Sequence, residues 1–196
     1  MKITNYFIVV LTFTISSSIF AKVNEYSEKK IQDYFEILSY EKTNFEPDGA
    51  VCERVAVREV DQLYPKENYT IVNGIQYDDK KSTIGELDLV IFDKSTGKVE
   101  AVAEVKCWRS FQGALKKAKE QRMRFQTYLN RNIVLSDEDK RYSKNDFSNI
   151  KKFFTVSQAG GVNQGFDFEL SLDLKEFIEI RKRLLDCHAE GRCPKR

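Results

Sequence analysis

Two acids and a lysine frame the stretch GELDLVIFDKSTGKVEAVAEVKCW, residues 85–108. Asp88 stands at the head of one apolar run; Glu104 and Lys106 stand at the foot of the next. Both runs have the length and β-branched content of strands, and the residues Ser95, Thr96 and Gly97 read as a three-residue hairpin loop with Gly97 in the left-handed position. In that register Lys94 faces Lys98, Phe92 faces Glu100, Val90 faces Val102 and Asp88 faces Glu104. Side chains alternate along a strand, so Asp88, Glu104 and Lys106 share a face with Val90, Phe92 and Val102. Opposed carboxylates repel, and burying them bare on a covered face is costly. A divalent cation between them relieves the repulsion, and oxygen ligands favour Mg²⁺ or Mn²⁺ over zinc. Beside it, Lys106 can orient or deprotonate a water, or neutralise charge on a phosphate. The pattern predicts metal-assisted hydrolysis of a phosphodiester. The competing reading is an exposed Glu104–Lys106 pair of little energetic value, with Asp88 as a strand-entry residue.

The elements that must position this trio follow from periodicity. Over 25–42, Ile31, Tyr34, Phe35 and Leu38 recur at helical spacing. A second helix is predicted within 45–65, opened by Pro47 and Asp48 and stopped by Pro65, with an inward stripe of Cys52, Ala56, Val60 and Leu63 and with Glu53 on its flank. Residues 69–77 read as a strand. After the hairpin, 111–129 reads as a helix with Phe111, Leu115, Ala118, Phe125 and Tyr128 or Leu129 inward; its other side carries Lys116, Lys117, Lys119, Arg122 and Arg124. A polar connection with a short strand at 133–135 leads to strands within 150–158 and 165–172 and a closing helix over 172–187. The order α-α-β-β-β-α-β-β-α predicts an α/β fold, a mixed sheet with helices on it. With no repeat, low-complexity block or Pro-rich linker, 22–196 reads as one domain.

Composition narrows the classes. The 196 residues are 41% hydrophobic and 12% aromatic with three Pro, which suits a folded core and not a disordered chain. Lys and Arg number 32 against 30 Asp and Glu, so any nucleic-acid surface has to be local. The start has the layout of a secretory leader: Lys2, the apolar run FIVVLTFTI, then SSSIFA. Cleavage is placed after Ala21, and the run is short for a bilayer span. Export makes the four cysteines candidates for two disulfides. Cys187 and Cys193 bracket five residues and form the simplest local staple; Cys52 and Cys107 either pair or remain buried thiols. Zinc is a poor fit, with one histidine and no CxxC pair. Trp108 packs in the core or lines a cleft. His188 is expected to be idle in the tail, which also argues against nuclease chemistry built on histidine. Asn68, Tyr69 and Thr70 form a glycosylation sequon, meaningful in a eukaryotic host.

The pattern GELD followed by AEVK resembles the PD-(D/E)xK nuclease superfamily, which includes restriction endonucleases and Holliday junction resolvases. The resemblance implies a restriction endonuclease-like mixed sheet flanked by helices with core αβββαβ, here from Pro47 to about Gln158, plus an extra N-terminal and a C-terminal helix. GAVCER, residues 49–54, resembles the Gly-x-x-x-Glu-Arg start of the archaeal resolvase helix, whose Glu joins the metal site. That points to Glu53, with Glu59 as rival. Carried over, Glu53, Asp88, Glu104 and the Val105 carbonyl would bind Mg²⁺ (or Mn²⁺), and Lys106 would be the catalytic lysine. Gln121 resembles a Gln that some exonuclease branches carry after the motif. With Lys116, Lys117, Lys119 and Arg122 it makes a candidate DNA-contacting face, whose other reading is a solvated helix side. Leu87 stands where the signature has Pro, and a secretory leader is unusual for a repair or restriction enzyme. The expectation is an exported Mg²⁺-dependent DNA endonuclease, with a homodimer open to it because resolvases usually act as dimers; DNA is preferred to RNA by resemblance alone. A non-catalytic exported binding protein of the same fold, or a junction resolvase, stays open.

Overall fold

Seven stretches pair into one mixed sheet: β1 (Tyr69–Asp78), β2 (Thr83–Asp93), β3 (Val99–Val105), β4 (Val134–Ser136), β5 (Arg141–Tyr142), β6 (Lys152–Ser157) and β7 (Phe168–Glu169). The computed structural model describes residues 25–79 and 82–194; the expected leader and its cleavage point lie outside them. Strand order is β5-β4-β1-β2-β3-β6-β7. Pairings on the β1–β5 side, and between β2 and β3, are antiparallel; β3–β6 and β6–β7 are parallel. A parallel step needs a crossover, and α3 (Phe111–Leu129) supplies it between β3 and β6.

Alternation along the central strands builds two cores. One face carries Leu89, Ile91, Ala101, Ala103, Val105, Phe154 and Val156, covered by α1 (residues 25–39), α2 (Ala50–Val60) and α4 (Leu174–Ala189). The other carries Ile75, Tyr77, Leu87, Val90 and Val102 beneath Phe125 of α3 and Phe147 of a short 3₁₀ turn; Leu87 and Leu89 are two apart and yet lie in different cores, so the alternation of β2 is interrupted at Asp88. Caps fix the helix starts. Ser110 accepts from the Gly113 N–H at α3, and Asp173 with Glu176 forms a capping box at α4.

Several expected details change. The second helix stops at Val60, so Leu63 leaves the stripe and is 53% exposed, while Val51 and Val55 are buried instead. On α3 the fully buried positions are Ala114, Ala118 and Phe125; Phe111 and Leu115 are half-buried. The polar connection after α3 holds a β4–β5 pair, not one short strand, and it extends the sheet beyond β1. The segment expected as a strand over 165–172 contributes only β7.

The hairpin differs from expectation twice, and the differences cancel. Its closing pair is Asp93 and Lys98, so Lys94 through Gly97 make a four-residue turn, with Gly97 at φ 67°. Phe92 therefore pairs with Val99, not Glu100. Glu100 is left out of the β2–β3 ladder as a bulge, and Ile91 then pairs with Ala101 and Val90 with Val102. The longer turn would have put Asp88 and Glu104 on opposite faces; the bulge restores the parity.

Two disulfides are formed. Cys52 of α2 joins Cys107 just beyond β3, and Cys187 joins Cys193 in the tail. They are compatible with an oxidising compartment. Among the described residues no helix is long and apolar enough to cross a membrane.

Candidate active site

The β2–β3 ladder closes at the Leu89–Ala103 pair, and Asp88 and Glu104 follow at the open end. There β3 continues beside β6, where the Lys106 N–H donates to the Val156 carbonyl at 2.9 Å. This pins the Lys106 backbone and turns its side chain back over Asp88. Asp88 Oδ2 accepts from Lys106 Nζ at 2.6 Å and from the Val105 N–H at 2.7 Å. Lys106 Nζ also donates to the Val105 carbonyl at 3.0 Å and lies 3.8 Å from Glu104 Oε2. Asp88, Glu104 and Lys106 thus converge around one ammonium.

Glu104 is 2% exposed, and both its carboxylate oxygens are buried without a hydrogen-bond partner. Burial first, then the Asp88 charge, pushes its pKa up; Lys106 and Arg124 only partly oppose this. Glu53 behaves alike: burial and then Asp88 push its carboxyl up to about 7. For Lys106, burial favours the neutral amine, but the charge of Asp88 and the hydrogen bond to it outweigh that and hold the ammonium above its usual range. One buried cation is thus shared by several acids.

Glu53 reaches the site from the first turn of α2. A Cβ on Gly49 would lie 2.9 Å from Glu53 Oε1, so a glycine there leaves the room that this carboxylate occupies. Glu59 is placed elsewhere. Its carboxylate accepts from the Tyr34 hydroxyl at 2.6 Å and from the Ser171 N–H and hydroxyl, which ties α1 and the segment before α4 to α2. Arg54, after Glu53, pairs with Glu41 and donates to Asn73, bracing α2 on β1.

Glu53, Val105, Lys106, Trp108, Lys117 and Gln121 line a cleft of about 270 Å³ beside the trio. The Cys52–Cys107 bridge forms part of its wall. Of the candidate DNA-contacting residues, Lys117 and Gln121 face this cleft, while Lys116, Lys119 and Arg122 do not line it. Trp108, which had core packing open to it, is 45% exposed. Arg124 was grouped with the solvated basic side, but it acts on Glu104 and Tyr77 and donates to the Ile84 carbonyl at 3.3 Å. Lys117, Gln121 and Arg124 recur at i, i+4 and i+7, so one helical stripe marks the α3 residues that turn toward the site. Tyr77 and Gln158 were not identified from sequence. Tyr77 is buried and held to about 12, first by burial, with the Glu104 charge adding. Gln158, buried on β6's exit, donates to the Trp108 carbonyl at 2.8 Å. Their polar atoms matter only through tertiary neighbours, so no local pattern exposes them. His188 stacks on Phe45 far along α4 and takes no part in the cleft.

Among the described residues, no three His, Cys, Asp or Glu side chains gather closely enough around one point to hold a metal ion. The Lys106 ammonium sits on Asp88 Oδ2 and the Val105 carbonyl, two of the expected ligands. Even so, the donor set suits a hard cation: Glu104 presents two orphaned oxygens in a buried place, where carboxylates are otherwise paired. The chain matches no protein-family model, no curated protein and no solved structure.

Proposed function

We propose that this protein is an exported, Mg²⁺- or Mn²⁺-dependent DNA endonuclease with a restriction endonuclease-like fold, in the manner of the PD-(D/E)xK enzymes. The observation that carries the reading is the buried Glu104 carboxylate, without a hydrogen-bond donor on either oxygen and set beside Asp88 and the Lys106 ammonium. A structural ion pair does not need this arrangement. A buried charge left without donors costs stability, and such costs are retained where a ligand or a reaction uses them. The helix, three-strand, helix, strand order that surrounds the trio supports the fold analogy, which remains an analogy.

Glu53, Asp88, Glu104 and the Val105 carbonyl would hold the cation. When bound, it supplies charge to polarise the phosphodiester and stabilise the leaving oxygen. Lys106 now donates to Asp88 Oδ2 and the Val105 carbonyl, so a cation there would compete with its ammonium for both; Lys106 would then donate to the attacking water or to a non-bridging phosphate oxygen. Glu104 is buried and Glu53 partly so, which strengthens the action of their carboxylates on nearby charge. Lys117, on the α3 stripe, steadies the phosphate backbone. Two disulfides and the leader-like start support an exported place of action.

The test is direct. The oxidised protein is incubated with supercoiled plasmid and Mg²⁺ or Mn²⁺, with and without EDTA. The proposal expects nicked and then linear DNA with either metal and none with EDTA. An intact plasmid under all conditions, with single-stranded DNA and RNA also untouched, overturns the enzymatic reading and leaves a binding protein.

A further inference from the structure

We infer that Trp108 is a stacking platform for an unpaired base, so that the strand is taken as single-stranded DNA beside the scissile phosphate; this rests on the nuclease reading above. A single exposed aromatic is ordinary on a protein surface. Trp108 is set apart by its place and its anchoring. It is the only tryptophan in the chain, and it stands in the cleft with Lys106 and Lys117.

Its backbone is fixed from the buried side. Gln158, 3% exposed, donates to the Trp108 carbonyl at 2.8 Å, and the Ser157 hydroxyl donates to Gln158 Oε1 at 3.2 Å. The Lys106 N–H holds Val156, and the Cys52–Cys107 bridge holds the residue between Lys106 and Trp108 to α2. A rigid backbone thus presents an indole that is nearly half exposed. Among the described residues, that indole has no ring or cation partner, whereas Phe125, Phe147, Tyr142 and Phe111 all have ring contacts.

The chemistry that fits an open, pre-positioned indole beside two lysines is a nucleotide: a flat base for the ring, and a phosphate for the ammonium groups. The cleft of about 270 Å³ suits one such unit. Bases in a duplex stack on one another and show only their edges, so the face that Trp108 needs is offered by an unpaired strand. In the same cleft Gln121 Oε1 is buried without a partner, an acceptor left for a donor group on the ligand.

The lone tryptophan is its own reporter. In EDTA, to prevent cleavage, the parent is titrated with a fluorescein-labelled single-stranded oligonucleotide and with a hairpin duplex of the same sequence; indole fluorescence and label anisotropy are followed. Stacking predicts quenching by the single strand and little by the duplex. Trp108→Ala should weaken single-strand binding about tenfold or more, and Trp108→Phe should keep most of it. Unchanged melting temperatures of both variants confirm that the fold is intact. Equal quenching by duplex, or single-strand affinity unaffected by Trp108→Ala, overturns the assignment. The nuclease reading is scored separately on the same preparation with Mg²⁺. Cleavage without quenching sinks the platform and keeps the nuclease, whereas quenching without cleavage keeps the platform and sinks the catalytic reading.

Discussion

Removing the Cys52–Cys107 bridge should cost far more than removing Cys187–Cys193, and the difference follows from chain length. The first closes a separation of 55 residues and the second a separation of 6. On the loop-closure argument these restrain the unfolded chain by about 4 and about 2 kcal/mol respectively. The long bridge also connects two elements of the candidate site: Cys52 precedes Glu53 on α2, and Cys107 follows Lys106 at the end of β3. The paired substitution Cys52→Ala with Cys107→Ala should therefore lower the unfolding free energy by about 4 kcal/mol, or the melting temperature by roughly 8–16 °C for a chain of this size. Guanidinium unfolding of the parent, of this variant and of the Cys187→Ala, Cys193→Ala variant, all without reductant, measures it. DNA cleavage should fall with the long bridge and persist without the short one, assayed well below both melting transitions. A long-bridge variant within about 1 kcal/mol of the parent, or a short-bridge variant that loses more, refutes the reasoning that the longer closed loop carries the larger stabilisation.

The remaining predictions concern the acids and cations of the cleft. Glu53 is raised to about 7 and Glu104 is also raised from an unfolded value near 4.5, so the folded protein binds more protons than the unfolded chain between those pH values. Their contribution to metal-free stability is thus present below pH 4.5 and lost as pH rises through 7; melting in EDTA should show this contribution falling between pH 5 and 8, while the stabilisation given by Mg²⁺ grows over the same range. Glu104→Gln replaces a buried carboxyl that has no hydrogen-bond donor and lies only loosely against the Lys106 ammonium, so at pH 8 the metal-free variant should melt no lower than the parent while losing cleavage, the opposite of what a strongly stabilising ion pair predicts. Lys106→Ala should lower kcat by about 10²–10⁴ with metal binding kept or tightened, since the ammonium no longer holds Asp88 Oδ2. Lys117→Ala should reduce the slope of log affinity against log salt by about 0.7–0.9, and Lys119→Ala, outside the cleft, by less.

What could be read from the chain was what period and punctuation encode. The alternation of Val90, Val102 and their neighbours placed Asp88 and Glu104 together, and Pro47 and Asp48 marked a helix start. The turn length was misread because a bulge at Glu100 leaves no local signature: an extra residue in the turn and one in the strand cancel in the pattern. Leu63 looked like the next residue of a helical stripe, but the helix had already ended, and periodicity does not report where hydrogen bonding stops. The position of Lys106 over Asp88 depends on the parallel neighbour β6, which lies 50 residues downstream and offers no cue in the motif itself. Arg124 and Trp108 were ambiguous for a related reason: whether a charged or aromatic side chain faces solvent or a cleft is decided by elements distant in sequence. Glu53 and Glu59 differ by six positions on one helix, and only the tertiary partners of Glu59, Tyr34 and Ser171, separate their roles.

The central claim is that Asp88 and Glu104 share a divalent cation in the working protein. The most direct measurement is the melting temperature at pH 8 with EDTA or with Mg²⁺ or Mn²⁺, for the parent, Asp88→Asn and Glu104→Gln. The account predicts a rise of about 3–6 °C in the parent at a tenfold excess of metal over its dissociation constant, absent in both variants. A parent unmoved by either metal at millimolar concentration, or variants that respond as it does, contradicts it.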